Sequence, residues 1–333
     1  MLKRKKKKLL IIFVWLFFTS LLLSTSTYAW FTANRVVTVN TLNVHVAASG
    51  GLEISADGSN WKSIIQIEDL INVHDDTYPT SVNQIPYLME PVSSGKEVDT
   101  STGFLKMFYG VTNNNTDGDY ILTTTRSIEE RGNGEESTGK FIAFDLFFRV
   151  NKDTEIFLTT NSGATYQGEL DTGIANSTRI AFLNQGTLPS GSPLVDIQSL
   201  KNANTATTYF WEPNYDVHTT AAIANAFDVY GITTTATGAA AINYDGVINE
   251  MDTEDNILLS NAKSNNYPGL FKRVNIDYYT VSEFSENKQI FTLPNGITKV
   301  RVYMWIEGQD VDCENNASFG DITFNVQFTV NPS

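Results

Sequence analysis

The strictest constraint on the fold lies near the end of the chain. From Asp321 to Asn331, Ile322, Phe324, Val326, Phe328 and Val330 alternate without a break with Asp321, Thr323, Asn325, Gln327 and Thr329. A period of two places all the apolar side chains on one face of an extended strand, and a helix cannot do so. Thr298–Ile306 repeats the pattern, with Val300, Val302, Met304 and Ile306 set against Lys299, Arg301, Tyr303 and Trp305. Phe141–Val150 is a third such strand. Ile142, Phe144, Leu146, Phe148 and Val150 share one face, and Asp145 and Arg149 sit on the other with Phe141 and Phe147. The link Glu307–Gly320 is polar and contains Gly308 and Gly320. It predicts that the two late strands are antiparallel neighbours joined by an acidic loop, with Trp305 partly exposed on the wet face.

Weaker strands are expected at Phe104–Val111, Tyr120–Arg126, Glu155–Thr160, Arg179–Leu183 and Gln289–Leu293. Leu52–Ser55 and Asn60–Ile64 flank Asp57-Gly58, a favoured tight-turn pair, and read as a hairpin. Helix signals are confined to Ser63–Asn72 and Val195–Ala203. Many short strands between Asn, Gly, Asp and Ser clusters predict a mainly β protein. The expected fold is an antiparallel jelly roll or β-sandwich with a few short helices. Two stretches break the pattern: Asp75–Thr102, with Pro79, Pro86 and Pro91, and the Ala-, Thr- and Asn-rich Thr205–Pro268. A loop that long without structure would be unusual. The organisation expected is a leader over 1–29 and one sandwich domain over 30–333 with an insertion at about 205–268. Two domains are the alternative.

The leader separates the charge of the chain into two parts. Lys3, Arg4, Lys5, Lys6, Lys7 and Lys8 precede an apolar run from Leu9 to Leu23, broken only by Thr19 and Ser20. Ser24-Thr25-Ser26-Thr27-Tyr28-Ala29 follows, with small residues suited to signal peptidase. Thr27, Ala29 and Trp30 mark the expected cut, and an uncleaved anchor running to Phe31 is the alternative. The leader takes six of the 23 basic residues and no acidic one. The body therefore keeps 17 basic against 37 acidic residues, a net charge of −20. Such a body is a poor partner for nucleic acid, whose phosphates need clustered Lys and Arg. Export is compatible with Cys313 as the lone cysteine, because a body of this size can bury a core without disulfides. No second apolar run lies near Pro332, so membrane contact is expected only through the leader before cleavage.

Behind the leader, Val37 and Val39 share one phase, and Leu42, Val44 and Val46 share the other. The phase flips at Asn40-Thr41, which predicts a bulge or a change of pairing partner. One reading keeps a bent first strand in its own sheet. The other lets Trp30–Val39, with Trp30, Phe31, Val37 and Val39 as assembly residues, leave the domain and complete a neighbour's sheet. Such a head-to-tail contact does not close and so makes fibres.

Catalytic signatures are absent. His45, His74 and His218 form no His-Glu-x-x-His helix, no Gly-x-Ser-x-Gly elbow occurs, and no phosphate-binding Gly-rich loop occurs. Glu129-Glu130 and Glu135-Glu136 read as solvated loops. Two segments offer hard oxygen ligands for calcium. Asn113–Asp119 begins like a calcium loop but has Thr124 where the bidentate Glu belongs, and Asp310, Asp312 and Glu314 put three carboxylates in five residues. A polar turn is the alternative for both, and no other cofactor is expected. Trp61, Trp211, Trp305, Tyr278 and Tyr279 are candidates for a glycan-stacking platform, with core packing as the alternative.

The Lys-rich leader running into Thr27-Tyr28-Ala29-Trp30-Phe31-Thr32 and a Val-rich strand resembles exported proteins of Gram-positive bacteria related to TasA and camelysin. The hairpin Leu52–Trp61 and the segment Val302–Cys313 are similar to segments of secreted proteins with the same front end. The resemblance covers about residues 1–61 and 297–330. It implies a dedicated signal peptidase, a jelly-roll fold and, as in TasA, assembly into matrix fibres. Thr32-Ala33-Asn34 departs from the acidic residue usual after the junction. The peptidase activity attributed to camelysin finds no zinc motif here. The expectation is a secreted, non-enzymatic structural protein of the cell surface or biofilm matrix, with itself or other matrix proteins as partners. A glycan- or host-ligand-binding module is the alternative, and a secreted peptidase ranks behind both.

Overall fold

The computed structural model describes residues 37–46, 51–130, 139–167, 172–202, 208–277, 288–314, 317 and 320–330. The chain is mainly β, with seventeen strands among these residues. In chain order they are β1 (Val37–Val46), β2 (Glu53–Ser55), β3 (Ile64–Ile65), β4 (Leu88–Met89), β5 (Val92–Ser93), β6 (Met107–Asn114), β7 (Tyr120–Ser127), β8 (Ile142–Val150), β9 (Thr154–Leu158), β10 (Gly163–Gln167), β11 (Thr178–Leu188), β12 (Thr208–Trp211), β13 (Tyr244–Val247), β14 (Phe271–Val274), β15 (Lys288–Leu293), β16 (Gly296–Ile306) and β17 (Asp321–Thr329). One sheet runs β15-β9-β17-β1-β3, with β10 also on β17 and β4 also on β1. A second runs β12-β11-β16-β8-β2. The smaller units are the sheet β5-β6-β7 and the ribbon β13-β14.

The two large sheets face each other as a β-sandwich. Leu42, Val44, Ile322, Phe324, Val326 and Phe328 from the first meet Ile142, Phe144, Phe148, Phe182, Val300 and Val302 from the second in one core. Phe148, Phe182 and Phe328 meet edge to face there, a geometry that adds to plain area burial. The alternation of β8, β16 and β17 thus fixes their inner faces as expected. Their pairing differs from expectation. β16 and β17 are not neighbours: β16 lies between β11 and β8 in the second sheet, and β17 lies in the first. The link Glu307–Gly320 crosses the end of the sandwich instead of turning within one sheet. Period-two alternation is the same for a neighbour in the sheet and for a strand across the core, so it cannot choose between them.

The outer face of the second sheet is also covered. Ala143, Ala181, Leu183, Tyr303 and Trp305 pack against Val92, Leu105, Met107, Phe210, Tyr215, Tyr244 and Val274. Every residue of β16 is buried, and Trp305 is 0% exposed. This corrects the expectation that Trp305 is partly wet. The cover comes from β5-β6-β7 and from the region expected as an insertion. A further apolar cluster, with Phe108, Leu122, Val247, Met251 and Phe271, joins those two covering units. Where described, the insertion is structured. Its helix Thr220–Tyr230 starts at Thr219, whose side chain accepts from the Ala222 N–H, and stops at Gly231 in the left-handed region, a usual start and stop.

The smaller expectations stand close to their marks. The weaker strands correspond to β6, β7, β9, β11 and β15 within a few residues. Ile54 and Lys62 exchange backbone hydrogen bonds of 3.1 and 2.8 Å around Asp57-Gly58. Asp57 accepts from the Ser59 and Asn60 N–H groups at 2.7 Å, and Gly58 takes φ 79°. The helices fall at Ile67–Asp76 and Leu194–Gln198. Among the described residues no helix is long and apolar enough to cross a membrane.

Candidate functional site

Two places bear on function: the seam of the first strand and a buried polar cluster at the sandwich end. The seam comes first in the chain. β1 pairs in parallel with β17, with Val39 opposite Ile322, Leu42 opposite Phe324, Val44 opposite Val326 and Val46 opposite Phe328. The register shifts between Val39 and Thr41. The phase switch is therefore a bulge at Asn40, and it sets both halves of the strand opposite the same inward row of β17. On its other edge, among the described residues, β1 pairs with β4, at Val37 and Thr38, and with β3, at Val44 and His45. The segment expected to leave the domain is seated, as far as Val37–Val39, in this molecule's own sheet. Thr27, Ala29, Trp30 and Phe31 lie outside the described residues.

The polar cluster forms where the link after β16 meets β11 and the covering insertion. Arg179, on the outer face of β11, is fully buried and pairs with Glu212, 3.0 Å away, and with Asp310. Asp310 accepts from the Asp312 N–H at 2.7 Å. Asp312 faces Nδ1 of His218 at 2.7 Å. Glu307 accepts from the Trp305 indole at 3.0 Å and from the Gln309 N–H at 3.1 Å. Burial pushes the Glu307 carboxyl up to about 7, against its hydrogen bonds and the attraction of Arg179. It also raises Glu212 well above the usual carboxylate range, although Arg179 pulls the other way. For His218, burial disfavours the cation, but the hydrogen bond and charge of Asp312 outweigh it and raise the imidazole.

This arrangement leaves the expected calcium ligands without a common centre. Asp310 is engaged by Arg179 and Asp312 by His218, and Glu314 is 0% exposed. The segment read as an acidic surface loop is thus buried, because it lies under the insertion. Among the described residues no group of three His, Cys, Asp or Glu side chains is placed to hold a metal ion. The Asn113–Asp119 segment closes the β6–β7 hairpin, where Asn115 Oδ1 accepts from the Asp117 and Asp119 N–H groups. Cys313 is buried, and burial followed by its acidic neighbours raises its thiol well above the ordinary value, the reverse of a reactive thiolate.

A second buried network sits on the same outer face. Asp145 accepts from Arg301 at 2.9 Å, Tyr78 at 2.8 Å and Lys299 at 3.2 Å. Burial opposes its charge, but Lys299 and Arg301 outweigh burial and hold the carboxyl down at about 2. Glu129, read as solvated, instead accepts from the Tyr303 hydroxyl at 2.9 Å, and its side chain is 5% exposed. Of the candidate stacking aromatics, Trp211 and Trp305 are buried, Trp61 is half-buried with Arg149 over its ring at 4.2 Å, and Tyr278 and Tyr279 lie outside the described residues. Among the described residues, the three tryptophans form no shared platform.

Sequence reasoning passed over Arg179, Glu212 and His218 as a set. Arg179 is remote in the chain from Glu212 and His218, and the three share no motif. The available signal was a charge inside each central strand of the second sheet: Asp145, Arg179, Lys299 and Arg301. Complementary charges in an otherwise strongly apolar sheet point to a buried network. No family model matches the chain, and no curated protein or solved structure is significantly similar to it.

Proposed function

We propose that this protein is exported and works as a non-enzymatic structural component of a cell surface or extracellular matrix, assembling by exchange of its first strand. The observation that carries the reading is the parallel seam between β1 and β17. A first strand in parallel with the last is joined to the rest of the sandwich at one end only. That joint is Ala47-Ala48-Ser49-Gly50-Gly51, made of small residues alone, a composition suited to a flexible hinge. The same strand of a second copy can fill the same slot with the same side chains, which is the low-cost route to assembly by swapping. The unit exchanged is then the whole of β1, since Leu42, Val44 and Val46 belong to the core. The basic, apolar leader supports delivery outside the cell.

The test uses the register. Thr38 and Asp321 are pairing partners across the seam. In the double variant Thr38→Cys/Asp321→Cys, oxidation at high protein concentration is expected to yield a ladder of covalent multimers on a non-reducing denaturing gel. Only intramolecular bridges, across salt concentrations and down to pH 5, would sink the exchange reading.

A further inference from the structure

The cluster around Arg179 buries more carboxylates than cations. Glu212, Glu307, Asp310 and Asp312 face Arg179 and His218, and all six residues are buried. Arg179 serves Glu212 and Asp310, and His218 serves Asp312. Glu307 has neutral hydrogen-bond donors and only the more distant attraction of Arg179. Two further cations lie nearby: Lys263 Nζ donates to Val229 O of the helix at 3.1 Å and sits over the Tyr230 ring, and Arg273 pairs with Asp245, but among the described residues neither forms an ion pair with Glu212, Glu307, Asp310 or Asp312. The remaining titratable groups in reach are neutral or acidic. They are Asp216 before the helix, Tyr230 in its last turn, Tyr244 and Asp245 of β13, and Cys313 and Glu314 of the link. His218 Nε2 and Asn225 Oδ1 lie in the same seam, buried and without a hydrogen-bond partner. The nearest cation, Arg179, is already shared by Glu212 and Asp310, so a negative charge gained by Glu307 is a poorly compensated buried ion.

The helix closed over this seam is weakly anchored by apolar contact, whereas the chain before it is held by Tyr215, which is buried in the cluster on the outer face of the second sheet. The helix Thr220–Tyr230 buries only Ala222, Asn225 and Ala226, and its Phe227 is 64% exposed. It is fixed to the link after β16 by polar bonds. Asn225 Nδ2 donates to Val311 O at 2.7 Å, the Tyr230 hydroxyl donates to Gln309 O at 3.1 Å, and the preceding His218 pairs with Asp312. Elements with little apolar burial open at the lowest free energy.

We propose that residues 212–231 form a proton-operated latch, closed on the link 307–314 while the cluster keeps its protons and lifting from it when they are lost. The direction follows from the shifts. Glu307, raised from 4.5 to about 7, contributes stability that is full below about 4.5, declines above it and is gone above about 7, and Glu212, also raised, acts in the same direction. The raised His218 acts in the same sense. The latch is therefore shut at pH 5.5 and loosened at pH 8.

Amide hydrogen exchange by mass spectrometry on the full chain tests this, with rates corrected for the intrinsic pH dependence of exchange. Protection of residues 212–231 is expected to fall at least tenfold from pH 5.5 to pH 8, while protection of β8 changes less than twofold. The double variant Glu212→Gln/Glu307→Gln, which keeps the shape without the two raised carboxyls, is expected to hold the protection of 212–231 at pH 8. Loss of protection in parallel with β8 would overturn the proposal, as would an unchanged pH slope in a double variant whose β8 protection at pH 5.5 is native. If the double variant fails to fold, the wild-type comparison of 212–231 with β8 decides alone.

Discussion

At the scale of single residues, the outer face of the second sheet shows how a buried charge is made tolerable. Asp145 is 1% exposed and has Arg301, Lys299 and Tyr78 as donors. Arg301 in turn donates to Val82 O and lies over the Phe104 ring at 4.0 Å. Removing one member of such a set leaves the others buried and unpaired. Arg301→Leu is expected to lower unfolding free energy by about 3–5 kcal/mol in urea titration. Arg301→Leu/Lys299→Met/Asp145→Leu is expected to recover most of that loss, since a network replaced by apolar groups is often neutral. A triple variant no more stable than Arg301→Leu would mean that the network contributes net stability. These residues were visible in the sequence, but their setting was not. Alternation marks a second face, and nothing in the strand itself says whether water or another layer covers it. The cover comes from Leu105, Met107 and Tyr244, which are remote in the chain.

At the scale of elements, strand existence was legible and strand partnership was not. β8, β16 and β17 announce themselves by period two, and the Asp57-Gly58 hairpin by its turn chemistry. That β16 and β17 belong to opposite sheets depends on where the link after Ile306 finds partners, and Arg179 and His218 supply them. Gly296, at φ 136°, enters β16 where a Cβ would lie 2.3 Å from Leu188 O, so the chain passes there only as glycine. The helix Thr220–Tyr230 carried the ordinary signals, a Thr cap and a terminal Gly, inside a stretch whose Ala and Thr content hid them. The bulge in β1 makes a sharper test. Asn40 is the one residue that lets Val39 and Leu42 both stand opposite inward residues of β17. Deleting Asn40 turns the register positions of Val37 and Val39 to the opposite face. The expected outcome is a lower midpoint in chemical denaturation, from the lost register of Thr38 and Val39 against Asp321 and Ile322, together with weaker pairing of Val37 with Met89. A deletion variant as stable as the parent would show that the first half of β1 contributes nothing to the seam.

At the scale of the whole molecule, two kinds of charge act on stability in different pH windows. Asp57 and Asp145 sit below the usual carboxylate range, Asp57 through its turn hydrogen bonds and Asp145 through its cations. Their contribution is present above about 4 and disappears as pH falls towards 2. Glu307, Glu212 and His218 are raised; the contribution of Glu307 is lost as pH rises through about 7, and those of Glu212 and His218 are lost in the same direction. The two windows leave a maximum near pH 4–5, close to the sequence isoelectric point of about 4.6. The net charge of the body would place a maximum there too, because like charges on the surface repel at higher pH. Salt separates the causes. Repulsion between exposed charges is screened over roughly 8 Å at physiological ionic strength, and groups sealed from solvent are screened far less. The thermal midpoint is expected to fall by roughly 5 °C from pH 5 to pH 8 in low salt. In half-molar salt part of that fall should vanish and part should persist. A fall abolished entirely by salt would assign it to the surface and deny the buried cluster any role. A fall that persists, and that Glu307→Gln reduces, assigns it to the seam where the insertion meets the late link. Assembly through β1 should meanwhile respond to the screened part alone, since that strand carries His45 as its one titratable residue.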